Sequence, residues 1–285
     1  MLKGLLRSRV PDLLLHVHCH RPFPVHAGSS WIRHWSFLDD LSAQGIPALP
    51  RGKGSVEDFR HYMPGLDDAR FARVFGQQAL EYWLWKKGPR SRFVGCSTYR
   101  RYLMVDQCAS REERRVVKAP TPQHLASVSS EAQRAAALRF LASADLVTNR
   151  PWPMPVSIEQ QYLASQPAVY WDLFLEGIDR CLPAYRRHLV WLRHYNTASV
   201  ETTYLMRREW FVRYARELFL LLEYVFRHAP VVVPEAPEGA FQPAYRYPGF
   251  LGERFLPFFA YANGLRRIEV PLVVFADPEE TPLAG

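Results

Sequence analysis

"YWLWKKGPRSRFVGCSTYRRYL", residues 82–103, decides the fold. Its first part ends a helix: Phe71, Val74, Phe75, Ala79, Tyr82 and Trp83 recur at helical spacing, Asp67 or Asp68 caps the start, and Gly88 follows Lys86 and Lys87. The spacing predicts one continuous helix from there to Gly88. "RFVGC" follows at once as a buried strand, and a helix returning directly to a strand is the unit of an α/β sheet. The strand then shrinks to Ser97 and Thr98 and meets Tyr99, Arg100, Arg101 and Tyr102. Ligands of α/β sheets collect just beyond the carboxyl ends of strands, and a guanidinium fork matches phosphate oxygens. Two such forks are therefore expected to hold a diphosphate; the competing reading is a surface ion-pair anchor.

Outward from this block, "DLLLHVHCH" (12–20) predicts a buried strand with His16, His18 and His20 on one face. Alternation alone suits either a metal site or histidines lining a cleft. Asp39 and Asp40 are available as partners, but nothing in the spacing singles out a further ligand, so no metal is expected. Residues 21–66 read as loop-rich and 110–124 as a charged surface loop. "SEAQRAAALRFLASA" predicts a helix leading into the strand "DLVTN", and Ser157 with Gln160 has capping-box spacing. "AVYWDLFLEGIDRCL" is amphipathic, "YNTASVETTYLM" extended, and "RREWFVRYARELFLLLEYVFRH" the longest helix. A Pro-rich loop (230–248), the helix "GFLGERFLPFFAYANG" and one late strand, "RIEVPLVVFA", complete the chain. Strands separated by helices predict an α/β fold with a mixed, mainly parallel sheet.

A chain of 285 residues, 48% hydrophobic, is long enough for one large core. Four cysteines without regular spacing read as reduced thiols in a cytoplasmic setting. No signal peptide and no bilayer-spanning run is expected. The net charge of +8, overwhelmingly from arginine, favours anionic partners such as nucleotide sugars or acidic lipid. The basic surface and the apolar helix 207–228 suggest peripheral contact with an inner membrane. No nucleic-acid-binding signature, Walker loop, GxGxxG or GxSxG element is present.

The block "YWLWKKGPRSRFVGCSTYRRYL" resembles the central signature of the domain of unknown function 4422 family of bacterial polysaccharide-synthesis proteins: tyrosine-tryptophan-x-tryptophan-lysine, then glycine-x-x-histidine-tyrosine-arginine-arginine-tyrosine. "ADLVTNRPWPMPVSIEQQYLAS", "TTYLMRREWFVRYARELFLLLE" and "GFLGERFL" resemble its later blocks, so the likeness runs over about residues 12–276. It implies a GT-A-like (Rossmann-like) fold in a single domain, with 12–109 as nucleotide-binding half and 145–276 as acceptor-side half. It also implies sugar transfer from a nucleotide-diphosphate sugar to a saccharide or lipid-linked acceptor in capsule, lipopolysaccharide or exopolysaccharide synthesis. Thr98 stands where the family has histidine, and Gln77, Gln78 and Ala79 where it has glutamate-leucine-threonine.

Such a transfer needs the departing diphosphate stabilised and a proton removed from the acceptor hydroxyl. Arg100 and Arg101 are expected in the first role, with Lys86 and Arg254 assisting and no metal required. Glu253, which matches the family's glutamate, is the expected base; pairing with Arg254 or helix capping is its alternative. Tyr99, Thr98 and Trp83 are expected against the base or sugar, with His18 and His20 facing the same cleft. Two other readings stay open: an inactive glycosyltransferase-like scaffold in a polysaccharide-assembly complex, and a metal-dependent hydrolase using the three histidines.

Overall fold

The computed structural model describes residues 11–24, 28–37, 39–118, 120–199, 201–229 and 246–276. In chain order, strands β1 (Leu13–Cys19) and β2 (Ile32–Ser36) precede helices α1 (Asp68–Phe75) and α2 (Gln77–Lys86). Strands β3 (Phe93–Thr98), β4 (Arg101–Leu103) and β5 (Arg114–Val117) then lead to helices α3 (Pro122–Val128) and α4 (Glu131–Ser143). Next come β6 (Leu146–Asn149), β7 (Trp152–Pro153), α5 (Ile158–Leu163), α6 (Ala168–Cys181), α7 (Leu189–His194) and β8 (Thr197–Ala198). The chain closes with β9 (Tyr204–Arg207), α8 (Arg208–His228), α9 (Tyr247–Ala262), β10 (Arg267–Val270) and β11 (Leu272–Phe275).

Six strands form the central sheet in the order β10-β6-β9-β3-β1-β2. All neighbours are parallel except β9, which runs antiparallel to both β3 and β6. Strand alternation sends each face into its own core. Val94, Cys96, Tyr204 and Met206 meet Leu80, Phe174, Tyr214, Leu218 and Phe255 of the helices on one side. Leu15, Val17, Phe93 and Leu205 meet Leu141 of α4 and Val273 and Phe275 of β11 on the other. Each fully buried Leu or Phe contributes about 1.5–3 kcal/mol relative to exposure. Gly95 is the thin spot of β3, since a Cβ there would stand 2.5 Å from Leu205 Cδ2 and 2.9 Å from Leu15 Cδ1.

Several expectations change. The helix expected to run through to Gly88 is two helices, broken at Gly76, whose φ of +51° favours glycine. Asp68 is the first residue of α1, and its carboxylate pairs with Arg51 and Arg60. The late strand is also two: Pro271 separates β10, in the central sheet, from β11, which pairs with β4 and β5 in a second sheet. The loop expected at 110–124 contains β5 and the start of α3, and the stretch 21–66 contains β2. The capping box of Ser157 and Gln160 forms as expected.

α8 buries most of its apolar residues in the core, among them Phe211, Leu218, Leu221, Leu222 and Phe226, and leaves Val212 and Leu220 exposed. Among the described residues no helix is long and apolar enough to cross a membrane. Most of the Pro-rich loop expected at 230–248 lies outside the described residues.

Candidate functional site

The parallel strands bring their carboxyl ends to one edge of the sheet, and antiparallel β9 brings its leading segment, 201–203, to the same edge. Short polar side chains fix that segment. The Ser97 hydroxyl donates to the Arg101 carbonyl and lies 3.3 Å from Thr203 Oγ1. Thr148 Oγ1 is 3.2 Å from Ser199 Oγ, which donates to Asn149 Oδ1. Gln77, at the start of α2, donates from Nε2 to the Thr202 carbonyl at 2.6 Å. Buried polar groups satisfied in this way hold one geometry, and here they hold Glu201.

Glu201 faces two guanidinium groups. Its Oε1 is 3.9 Å from Arg101 Nε and 3.4 Å from Arg114 Nη1, and its side chain is only 11% exposed. Arg114 stacks over the Trp152 ring, 4.7 Å from its centroid. Among the described residues Arg101 Nε, Arg114 Nε and Glu201 Oε2 are buried without a hydrogen-bond partner. Arg246, at the head of α9, belongs to the same electrostatic neighbourhood. Burial lowers its pKa, nearby Glu253 opposes this, and the charges of Arg101 and Arg100 lower it further.

Glu253 lies one turn into α9 beyond Pro248 and Gly249. Burial pushes its carboxyl above the usual glutamate range, against the pull of Arg254, Arg101 and Arg246. Arg254 Nη1 donates to Glu253 Oε2 at 2.9 Å and to the Phe250 carbonyl at 3.1 Å, while its Nη2 donates to Gln161 Oε1 on α5. At the end of β1, burial and then the charges of His20 and Arg246 lower the His18 pKa to about 3. His16 is also lowered to about 3, by burial and then by Arg208 and Arg33, and its Nδ1 accepts a bond from Trp35 Nε1 at 3.0 Å. Both imidazoles are therefore neutral at physiological pH.

The family model for the domain of unknown function DUF4422 matches residues 77–264. The chain belongs to the DUF4422 family. No curated protein matches it. Among solved structures, the apo structure of the WbbM bifunctional glycosyltransferase aligns with a TM-score of 0.71 at 13% identity, covering 96% of this chain and 48% of that one. The DUF4422 chain thus spans about half the length of that neighbour. The likeness is one of fold, and with the mixed, mainly parallel sheet it makes the architecture GT-A-like, as the sequence resemblance implied.

In this DUF4422 chain the electrostatic neighbourhood of Arg246 and Glu253 takes in Arg100, Arg101, Arg254 and His18, and His20 stands beside His18 with ring centroids 5.9 Å apart. Thr98 pairs with His18 across β1 and β3, and its Oγ1 is buried without a hydrogen-bond partner among the described residues. Tyr99 is 3% exposed, packed edge-on against His20 and Phe23, so it is a wall of the site rather than an open stacking platform. Arg254 is likewise buried and engaged by Glu253 and Gln161, which suits it to orient the carboxylate rather than to grip a donor.

Two expected residues lie elsewhere. Lys86 is at the far end of α2, about 13 Å of helix from Gln77, and its ammonium sits 3.5 Å over the Trp85 ring. Trp83 is a core residue packed on Trp35, with centroids 4.6 Å apart. His16 and His18 share one face of β1 as expected, His16 held by Trp35, while His20 lies just beyond the strand's end beside His18. Among the described residues no group of three or more His, Cys, Asp or Glu is placed to hold a metal ion; the side chains of Asp39 and Asp40 lie outside the described residues.

The residues that sequence reasoning missed are Glu201, Arg114 and Arg246. Glu201 and Arg246 are single charges in their stretches, and Arg114 is one of five charges in the run 111–115. A clue existed for Glu201, the lone acid of the extended stretch "SVETTY".

Proposed function

We propose that this protein is a glycosyltransferase that moves a sugar from a nucleotide-diphosphate donor to a saccharide or lipid-linked acceptor in bacterial surface polysaccharide synthesis. One observation carries the reading: Arg101 and Arg114 converge at the carboxyl edge of the sheet, each with a buried Nε that has no hydrogen-bond partner among the described residues, beside Arg100 and Arg246. Such a cluster is complementary to a pyrophosphate, whose charge grows as the glycosidic bond to the donor breaks. Glu201 is the resident counter-charge, which the diphosphate oxygens replace at the guanidinium groups.

Glu253 is the base. Its raised pKa brings it toward the working range for accepting the acceptor hydroxyl proton, and Arg254 fixes its orientation. Neutral His18 and the Thr98 hydroxyl offer hydrogen bonds to the donor without adding charge. The fold likeness to a bifunctional glycosyltransferase supports the reaction class. Transfer is proposed to proceed without a metal, because the guanidinium groups supply the positive charge that a divalent ion otherwise brings.

The test is calorimetric titration with UDP, GDP and TDP, followed by an assay of donor-sugar turnover. Binding of one nucleotide diphosphate that Arg101→Ala abolishes supports the proposal; no binding to any of them favours the scaffold reading. That second reading has an observation of its own in the direct pairing of Glu253 with Arg254.

A further inference from the structure

We infer that a cleft on the flank of the molecule, between α7, α9 and β8, binds the saccharide chain of the acceptor. This rests on the transfer reading above and adds where the acceptor lies. The cleft, of about 360 Å³, is lined by Trp191, Tyr195, Tyr261, His194, Thr197 and Arg267, among others. That volume falls within the roughly 300–1,000 Å³ of ligand sites. Its lining includes a row of near-parallel rings: Trp191 lies 5.3 Å from Tyr195 at 22° and 5.3 Å from Tyr261 at 18°. Trp191 is buried, whereas Tyr195 and Tyr261 are 49% and 43% exposed.

Sugar rings carry apolar C–H faces and a hydroxyl rim. The C–H bonds are weakly positive and match the negative face of an aromatic ring, while the rim needs donors and acceptors beside it. The cleft offers both, its polar groups being the His194 imidazole, the Thr197 hydroxyl and the Arg267 guanidinium. A dry apolar partner would strip water from all three, although Thr197 also donates to Asn196 Oδ1 at 3.2 Å and Arg267 pairs with Glu269 at 4.0 Å.

Continuity with the basic cluster favours a polymer threaded to the site over an unrelated ligand. Ala198 lines the cleft and pairs with Trp152 across β7 and β8. The Trp152 ring carries Arg114, and Arg114 meets Glu201. A saccharide lying on the aromatic row and longer than the cleft is directed through Trp152 and Arg114 toward the proposed diphosphate site.

The experiment titrates the purified chain with isomaltohexaose, mannohexaose and galactohexaose, following tryptophan fluorescence and heat. Saturable binding of at least one is expected, and Tyr195→Ala and Tyr261→Ala should each weaken it about five- to tenfold with unchanged circular dichroism. Val190→Arg, at a 57% exposed position on the rim, blocks the cleft without touching the core and serves should an aromatic variant fail to fold. Absence of binding to all three sugars at millimolar concentration, or unchanged affinity in the folded variants, overturns the inference. So does a concentration-dependent dimer that Val190→Arg disperses, which would make this face a contact between copies. Titration of the same sample with UDP, GDP and TDP separates the two claims. Sugar binding without nucleotide binding keeps the cleft and removes the transfer reading; nucleotide binding without sugar binding does the reverse.

Discussion

Arg101 Nε stands 3.9 Å from Glu201 Oε1, joining the residue that follows the β3 turn to the segment that leads into β9. An ion pair this enclosed costs desolvation that its own Coulomb energy barely repays, so its retention points to use rather than to stability. Arg101→Ala should weaken nucleotide-diphosphate binding by roughly tenfold to a hundredfold, the loss expected for charge-assisted hydrogen bonds. Glu201→Gln should have the opposite sign and tighten it severalfold by removing the competing carboxylate. Calorimetry with the nucleotide that binds the parent chain checks both.

Glu253→Gln should lower kcat by roughly 10²–10⁴, the usual contribution of a general base, with donor affinity within a few-fold of the parent. A base must be ionised to act, and the pKa of Glu253 is raised. Activity should therefore fall as pH drops through a value above the ordinary glutamate range, and the Gln variant should lack that acid limb. A kcat–pH profile of both proteins is the measurement.

Transfer should survive excess EDTA, because arginine charge supplies what a divalent ion otherwise would. Donor turnover measured with EDTA and with added manganese checks this; strict dependence on manganese would remove the arginines from the leading role.

Glu81 is a buried acid between α2, β9 and α8 that accepts a bond from Tyr204 Oη at 2.9 Å. Burial, opposed by bonds from Tyr204, Gln77 and Tyr214, raises its pKa to about 7. The unfolded chain ionises near pH 4.5 and the fold only near 7, so this group's stability is full below 4.5 and is lost as pH rises to about 7. His16 and His18 act in the other sense: folded pKa values of about 3 mean stability present above 6.5 and lost as pH falls toward 3. Glu81→Gln should raise Tm at pH 8 but much less at pH 5, by on the order of 2–3 kcal/mol between the two. Thermal melts across that range show it.

Gly95→Ala should destabilise the fold by about 1–3 kcal/mol through overpacking, since the new methyl collides with Leu205 and Leu15 on the two neighbouring strands. Denaturant midpoints at constant m-value measure this.

Much of the architecture is legible locally. Periodicity finds β1, β3, α4, α6, α8 and α9 because each buries one face or stripe against the sheet. It misreads the stretch before Gly88 as one helix, because a glycine within a periodic run does not announce a positive φ. It misreads 267–275 as one strand, because two buried strands in succession look like one.

The sequence by itself determined that an α/β chain presents Arg100 and Arg101 at the end of a core strand, since both are neighbours of the residues that make the strand. The pattern is local, and so is the physics behind it. Only the tertiary structure decided that Arg114, Arg246 and Glu201 gather at the same edge, and that Lys86 and Trp83 do not. The reason is the reversed strand: β9 inserted antiparallel between β3 and β6 carries Glu201 to the carboxyl edge, a pairing over a hundred residues that no spacing within one segment encodes.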